Sequence, residues 1–262
     1  MSASPAKRVT PVPGIPCWVN LIVGDLSACC AFYAAVLGWE FTASSLGDQF
    51  VIATSRGDPV AGIGVHRPGF APASVWTPYF AVRDADVTAA RIQERSATLA
   101  VGPMAVGEGR AGVGADRDGA TFGFWKGPSP AWSAGEGSAP TSLDLQTRDV
   151  FDAAVFYGEV FDWATEPGMD IVYRDDHVLV ERNGRAVLSL RGGGLEASEQ
   201  PHLRPRWLVN FTVDDVEHAV VAALRAGGGR PHPPAATWAS QGFSRTLQDP
   251  EGGLFTLTHR TD

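Results

Sequence analysis

The sequence predicts an α+β fold. Four βαβββ units pair into two cup-shaped mixed sheets with helices outside. Three observations lead there. The stretch FYAAVLGW (Phe32–Trp39) returns as FYGEVFDW (Phe156–Trp163), 124 residues later. Two further pairs keep the same order: YFAVRDADVTAARI with VNFTVDDVEHAVVAAL, and GADRDGATFGFW with LQDPEGGLFTLT. Each half also divides in two, because an apolar strand ending in Val-x-Asp recurs before a helical pattern.

In the first unit the strand covers Trp18–Val23, and Asp25 fits an N-cap. The helix runs over Leu26–Leu37, and Gly38 fits the left-handed residue past its end. QFVIATS and AGIGVHR then read as strands. The second unit has a strand at Pro78–Val82, a cap at Asp84 or Asp86, a helix to about Arg95, and strands near Met104, Gly112–Ala115 and Thr121–Trp125. Units three and four repeat the pattern from Ser142 and Trp207. One such unit alone leaves a sheet edge and an apolar face exposed. Two side by side close a cup in which a small molecule can bind.

The chain of 262 residues therefore divides into an extended N-terminal arm (1–16, with four prolines), a first module (17–127), a linker rich in Gly, Pro, Ser and Ala (128–140), and a second module (141–262). Net charge is −8, and the excess acid lies in one half. Residues 1–131 carry 10 basic and 10 acidic side chains, whereas residues 132–262 carry 11 and 19. That balance argues against nucleic-acid and anionic-membrane partners. Cys17, Cys29 and Cys30 make no disulfide framework. No apolar run approaches the roughly 18 residues of a membrane span, and no signal peptide is visible. The expectation is a cytoplasmic protein, monomeric or homodimeric, whose partner is a small-molecule ligand.

VGDLSACCAFYAAVLGW, TRDVFDAAVFYGEVFDW, DRDGATFGFW and DPEGGLFTLT resemble the vicinal oxygen chelate superfamily of glyoxalases, bleomycin-resistance proteins and extradiol dioxygenases. The resemblance covers about Trp18 to His259 and is strongest to two-module glyoxalase-like proteins. It implies a divalent metal held by inward residues of each cup. Matched motif by motif, those positions are Trp18, Thr77 and Gly123 in the first module, and Ser142, Leu208 and Thr256 in the second. None is a credible ligand: Trp, Leu and Gly offer no donor, and hydroxyls are weak ones. No metal and no cofactor are expected. The histidines (His66, His177, His202, His218, His232 and His259) share no ligating spacing and read as surface or loop residues.

Strand alternation returns the chain to the cup two residues after each lost ligand. Asn20, Tyr79, Asp144 and Asn210 stand there among apolar neighbours. Two readings stay open for all four: contact with a ligand, or hydrogen bonds that bridge the units and satisfy loop backbone. Asp144 is the one carboxylate among them. Burial would raise its pKa and suit it to general acid–base work, unless an arginine such as Arg148 or Arg206 pairs with it. Tyr79 is the other acid–base candidate. Trp18 floors or fills the first cup, and Trp76, Trp125 and Trp207 are candidate aromatic walls, with core packing as the alternative reading. Trp39 and Trp163 read as core. Arg110 in GEGRAGVG and Arg245 in QGFSRT either bring a guanidinium to each cup or pair with the DRDG and DPEG turns.

These features point to a protein that binds a small, partly aromatic or apolar molecule without the usual metal. The alternative is a cofactor-free lyase, isomerase or hydrolase using Asp144 or Tyr79.

Overall fold

A computed structural model describes residues 8–66, 74–132, 134, 139–140, 142–193, 204–231 and 244–260. A short strand β1 (Arg8–Val9) precedes the first unit, which comprises β2 (Pro16–Val23), α1 (Leu26–Leu37), β3 (Glu40–Ala43), β4 (Phe50–Ser55) and β5 (Asp58–Val65). The second unit is β6 (Thr77–Ala81), α2 (Ala85–Glu94), β7 (Thr98–Val106), β8 (Gly109–Ala115) and β9 (Thr121–Lys126). After β10 (Ser129–Pro130) come β11 (Ser142–Gln146), α3 (Val150–Val160), β12 (Met169–Tyr173), β13 (His177–Arg182) and β14 (Arg185–Arg191). The last unit shows β15 (Arg206–Val213), α4 (Val216–Arg225), β16 (Ser244–Gln248) and β17 (Leu254–His259).

The strands form an eight-stranded sheet, β3-β4-β5-β2-β6-β9-β8-β7, and a seven-stranded sheet, β12-β13-β14-β11-β15-β17-β16. In both, the first strands of the paired units lie antiparallel at the centre: β2 on β6, and β11 on β15. The arm and the linker meet, since β1 pairs with β10. Trp132 of the linker is buried and donates its indole N–H to Val60 O at 3.0 Å.

The local chemistry of each unit explains its turn into a helix. Asp25, Asp84, Asp149 and Asp215 all hold extended N-cap geometry and accept N–H groups of the first turn. Helix α1 ends on Gly38 at φ 66°. The matching residue in the repeat is Asp162, at φ 58°, one of the few side-chain types that visit that region.

Each sheet has two unlike faces. Val19, Leu21, Phe80, Phe122, Phe124, Leu143, Leu145, Val209 and Phe255 point to the helix side and are buried. The helices lie outside each cup, and there the two modules meet. Phe32 of α1 makes an edge contact with Phe255 of the second sheet. Phe80 and Phe122 of the first sheet pack on Tyr157 of α3 and on Phe161 at its end. One core therefore serves both modules.

Two hydrogen-bond relays cross that core. Trp76 donates its indole N–H to Tyr33 Oη at 3.0 Å, and Tyr33 donates to Asp249 Oδ2 at 3.0 Å. Trp207 donates to Tyr157 Oη at 3.1 Å, and Tyr157 donates to Asp116 Oδ2 at 2.9 Å. The second oxygen of each Asp accepts backbone N–H groups of its own turn: Glu251 and Gly253 for Asp249, Asp118 and Ala120 for Asp116. Burial pushes both carboxyls above the usual range and both tyrosines far above theirs.

The next acid of each turn holds the start of the other module's first helix. Glu251 accepts from Gly24 N at 2.6 Å and Asp25 N at 2.7 Å. Asp118 accepts from Arg148 N at 3.2 Å and Thr147 Oγ1 at 2.9 Å. The repeated Tyr and the repeated acidic turns are thus the two halves of one reciprocal clamp.

Trp76 and Trp207 are therefore not cup walls. Both are fully buried on the helix side, one residue out of phase with the concave positions Thr77 and Leu208. Their indole N–H groups are already committed to the tyrosines.

Tyr33→Phe and Tyr157→Phe each strand a buried indole N–H and a buried carboxylate oxygen. Each should cost about 1–3 kcal/mol, seen as a lower denaturant midpoint with an unchanged slope. An unmoved midpoint in both variants would show that the relays do not stabilise the pairing.

Candidate functional site

The concave faces are read from the register. On β2, Trp18, Asn20 and Ile22 face away from the helices; on β11, Ser142, Asp144 and Gln146 do. Asn20 lies opposite Gly62 and Thr77, as Asp144 lies opposite Ser189 and Leu208. Trp18 lies opposite Tyr79, and Tyr79 opposite Gly123; Ser142 lies opposite Asn210, and Asn210 opposite Thr256. The two cups superpose position by position, and their chemistry differs throughout.

The first cup is floored by rings lying on glycines. A Cβ at Gly123 would meet the Tyr79 ring at 2.4 Å, and one at Gly62 would meet the Phe50 ring at 2.4 Å. Trp18 donates its indole N–H to Asn20 Oδ1 at 2.8 Å. Burial raises the Tyr79 hydroxyl above its ordinary pKa despite a bond to Asn20, so it is a poor base at neutral pH. Trp125 lies on the same face, with its ring over Gly109 and Gly127. Its N–H is 3.1 Å from Gly127 O and 3.3 Å from Pro128 O.

The second cup holds a connected polar cluster. Ser189 Oγ donates to Asp144 Oδ1, and Asn210 Nδ2 donates to Asp144 Oδ2. The same amide nitrogen reaches Ser142 Oγ at 2.7 Å. Arg191 Nε donates to Ser189 Oγ at 3.1 Å and stands 3.9 Å from the Asp144 carboxylate. Thr246 and Thr256 share a hydrogen bond of 3.1 Å beside them. Burial pushes the Asp144 carboxyl up; the Ser189 and Asn210 donors, then Arg191 and His177, pull against that shift without cancelling it. Asp144 and Tyr79 lie in different cups, so they cannot act as one acid–base pair.

Several expected roles change. Arg110 turns to the helix side and pairs with Asp86 in the first turn of α2, at 3.0 Å through one Nη. Arg245 does the same with Glu217 of α4 at 3.3 Å. Both brace their own unit's helix, because odd steps along β8 and β16 point away from the cup. Arg148 holds Asp118 instead of Asp144. His177 is no loop residue: it begins β13 on the concave face, opposite Arg191, with Nδ1 2.6 Å from Asp176. His202 and His232 lie outside the described residues. Ser189, Arg191 and Gln146 escaped the sequence reading. The alternation of β14, Leu188-Ser189-Leu190-Arg191, was the available signal, but nothing in the linear pattern tied it to Asp144.

The structural counterparts of the superfamily's ligand positions do not fit a divalent ion. Leu208 and Gly123 have no donor, and Trp18 presents an N–H already bonded. Thr77 donates to Val75 O, and Thr256 bonds Thr246. Among the described residues no three His, Cys, Asp or Glu side chains converge on a metal-sized point. The cysteines offer no nucleophile: burial pushes Cys17 up to about 12 and raises Cys29 and Cys30 as well. Cavities of about 600 Å³ and 370 Å³ are lined by residues of both modules, the larger one including Trp132, whose ring lies 6.4 Å from that of Trp18.

Comparisons with known proteins agree with this architecture. Residues 141–258 match the glyoxalase-like domain. DnrV of Streptomyces peucetius, named as an anthracycline biosynthesis protein, is 30% identical over 94% of this chain and 93% of its own length. This chain belongs to the glyoxalase-like family of the vicinal oxygen chelate superfamily. The glyoxalase-like protein is also 28% identical to CFP32 of Mycobacterium tuberculosis, whose name assigns it provisionally to the glyoxylases, over 96% of this chain and 97% of CFP32. Among solved structures it superposes on homoprotocatechuate 2,3-dioxygenase of Brevibacterium fuscum in complex with 3,4-dihydroxyphenylacetate, with a TM-score of 0.60 and 18% identity, over 97% of this chain and 83% of the other. The Mn(II)-bound glyoxalase of Novosphingobium aromaticivorans gives 0.57 and 16%, over 96% and 83%. At these identities the likeness is one of fold. Among the described residues no helix is long and apolar enough to cross a membrane.

The raised Asp144 pKa has a consequence for stability. A carboxyl with a folded pKa above its unfolded value favours the folded state while protonated, and that advantage is lost as pH rises through the folded pKa. Asp144→Asn removes the group. The Tm of the variant relative to the parent should therefore be more favourable at pH 7 than at pH 4. A pH-independent difference would mean that Asp144 is not held against ionisation.

Proposed function

We propose that this glyoxalase-like protein binds a small organic molecule on the concave face of its second module, without a divalent metal at the superfamily position. The observation that carries the reading is the Asp144 cluster. A carboxyl, two hydroxyls, an amide and a guanidinium converge where the superfamily fold presents its ligand site, while the counterpart ligand positions hold Ser, Leu and Thr. A ligand with polar groups can exchange hydrogen bonds with this cluster and bury its apolar part against Leu208. The kinship with DnrV supports a ligand from secondary metabolism. The first cup, floored by Phe50, Tyr79, Trp18 and Trp125, suits a flatter and more apolar molecule. Native mass spectrometry of the full chain tests the reading: a small organic mass and no transition metal are expected. One stoichiometric metal ion per module, or a rise in Tm with added Mn, Fe, Ni or Zn, would overturn the metal-free part.

A second reading is favoured by the position of Asp144 itself. Its carboxyl has a raised pKa and is oriented by Ser189 and Asn210, which suits it to move a proton to and from a bound molecule. This makes the protein a cofactor-free lyase, isomerase or hydrolase. Asp144→Asn should then abolish turnover and leave ligand affinity within about tenfold. Unchanged turnover would remove Asp144 from the chemistry.

A further inference from the structure

Beyond the Asp144 cluster a second row of side chains crosses the same cup. His177 on β13 lies opposite Arg191 on β14, Arg191 opposite Gln146 on β11, and Gln146 opposite Arg206 on β15. All four face the concave side, since their sequence neighbours Val178, Leu190, Leu145 and Trp207 are buried in the core. Cross-strand neighbours sit about 4.8 Å apart, so the two arginines flank Gln146 with Cα atoms within about 10 Å of each other.

The row is short of negative charge and of donors. Arg191 is 6% exposed, and among the described residues its one ion-pair partner is Asp144, 3.9 Å away and beyond hydrogen-bond reach, with the exposed Asp176 acting on it only electrostatically. Asp176 serves the far end, on His177. Arg206 gives Nε to Arg204 O at 2.9 Å and makes no ion pair among the described residues. Burial and the like charge of Arg204 lower its pKa to about 10. Gln146, 4% exposed, donates Nε2 to Gly193 O, which leaves Oε1 buried without a partner. Such groups are costly to bury unless something completes them. The fold does not demand them: the corresponding row in the first cup is Phe50, Gly64 and Ile22.

We propose that Arg191, Gln146 and Arg206 form a binding site for the carboxylate of a small organic acid, with Gln146 Oε1 accepting from a hydroxyl beside that carboxylate. A planar guanidinium fork matches a carboxylate through two parallel hydrogen bonds, and one anion held between two such forks supplies the missing counter-charge. The neutral amide between them accepts the ligand's hydroxyl. With about 3.3 Å of rise per residue along β11, a carboxylate seated on this row places the ligand's next atoms over Asp144, two residues away. The assignment rests on the second cup being the small-molecule site, and it narrows the class to hydroxy acids or their near relatives.

The test compares salicylate with salicylamide, its uncharged counterpart, on the full chain at constant ionic strength, by Tm and by titration calorimetry. Salicylate should bind and raise Tm, and salicylamide should bind at least tenfold more weakly. Arg206→Gln, at a part-exposed position, should remove at least a tenfold share of salicylate affinity while the protein stays folded. Arg191→Gln should do the same if it folds, and Arg83→Gln, on the outer surface, should change nothing. Equal binding of salicylate and salicylamide would leave the small-molecule cup standing and overturn the carboxylate site. Failure of both probes to bind, or salicylate binding untouched by Arg206→Gln, would also overturn it, while the mass of any co-purified ligand tests the cup separately.

Discussion

The reciprocal clamp between the modules is the constraint on which the rest depends. Tyr33 reaches Asp249, and Tyr157 reaches Asp116, each with a tryptophan N–H behind it. A buried carboxylate satisfied on one side by its own turn and on the other by a foreign tyrosine leaves little freedom in how the sheets meet. Glu251 and Asp118 add the N-terminal ends of α1 and α3 to the same fixture. With the helix faces held together in one aromatic core, both concave faces are turned outward and are free to differ.

They do differ. The first cup has become aromatic and glycine-floored, and the second polar and cationic. Divergence of this kind is open to a duplicated module because the core face carries the stability and the cup face does not. Val19, Leu21, Leu143 and Leu145 hold the central strands to the helices from one side. Trp18 and Asn20, or Ser142 and Asp144, stand on the other side, where a change alters chemistry before it alters packing. The positions that resemble the superfamily's metal ligands share in that divergence: Leu208 and Gly123 stand there and offer no donor.

The second cup carries two neighbouring rows of polar side chains. Asp144, Ser189 and Asn210 make a tightly bonded centre in which burial raises the carboxyl's pKa. One register step away, Arg191, Gln146 and Arg206 offer charge and hydrogen-bonding capacity that the described protein does not use. In the proposed reading the row positions the ligand and Asp144 moves a proton, a division that fits because a group spent on positioning cannot also change protonation state.

Much of this was written in the linear chain. The duplicated helix, the four Asp caps and the acidic turns specified four units, since each is a local pattern with a local physical cause. The alternation that places Asn20, Tyr79, Asp144 and Asn210 on one face of their strands is also local. The same parity puts Trp76 and Trp207 on the opposite face, so of the two readings open for them, cup wall and core, the core one applies. What tertiary structure alone decided were the pairings between distant segments. Tyr33 with Asp249, Asp144 with Ser189 and Arg191, and Arg110 with the start of its own helix are set by sheet register and by how two modules dock. No spacing along the chain encodes those, because the partners meet through the packing of surfaces contributed by separate units.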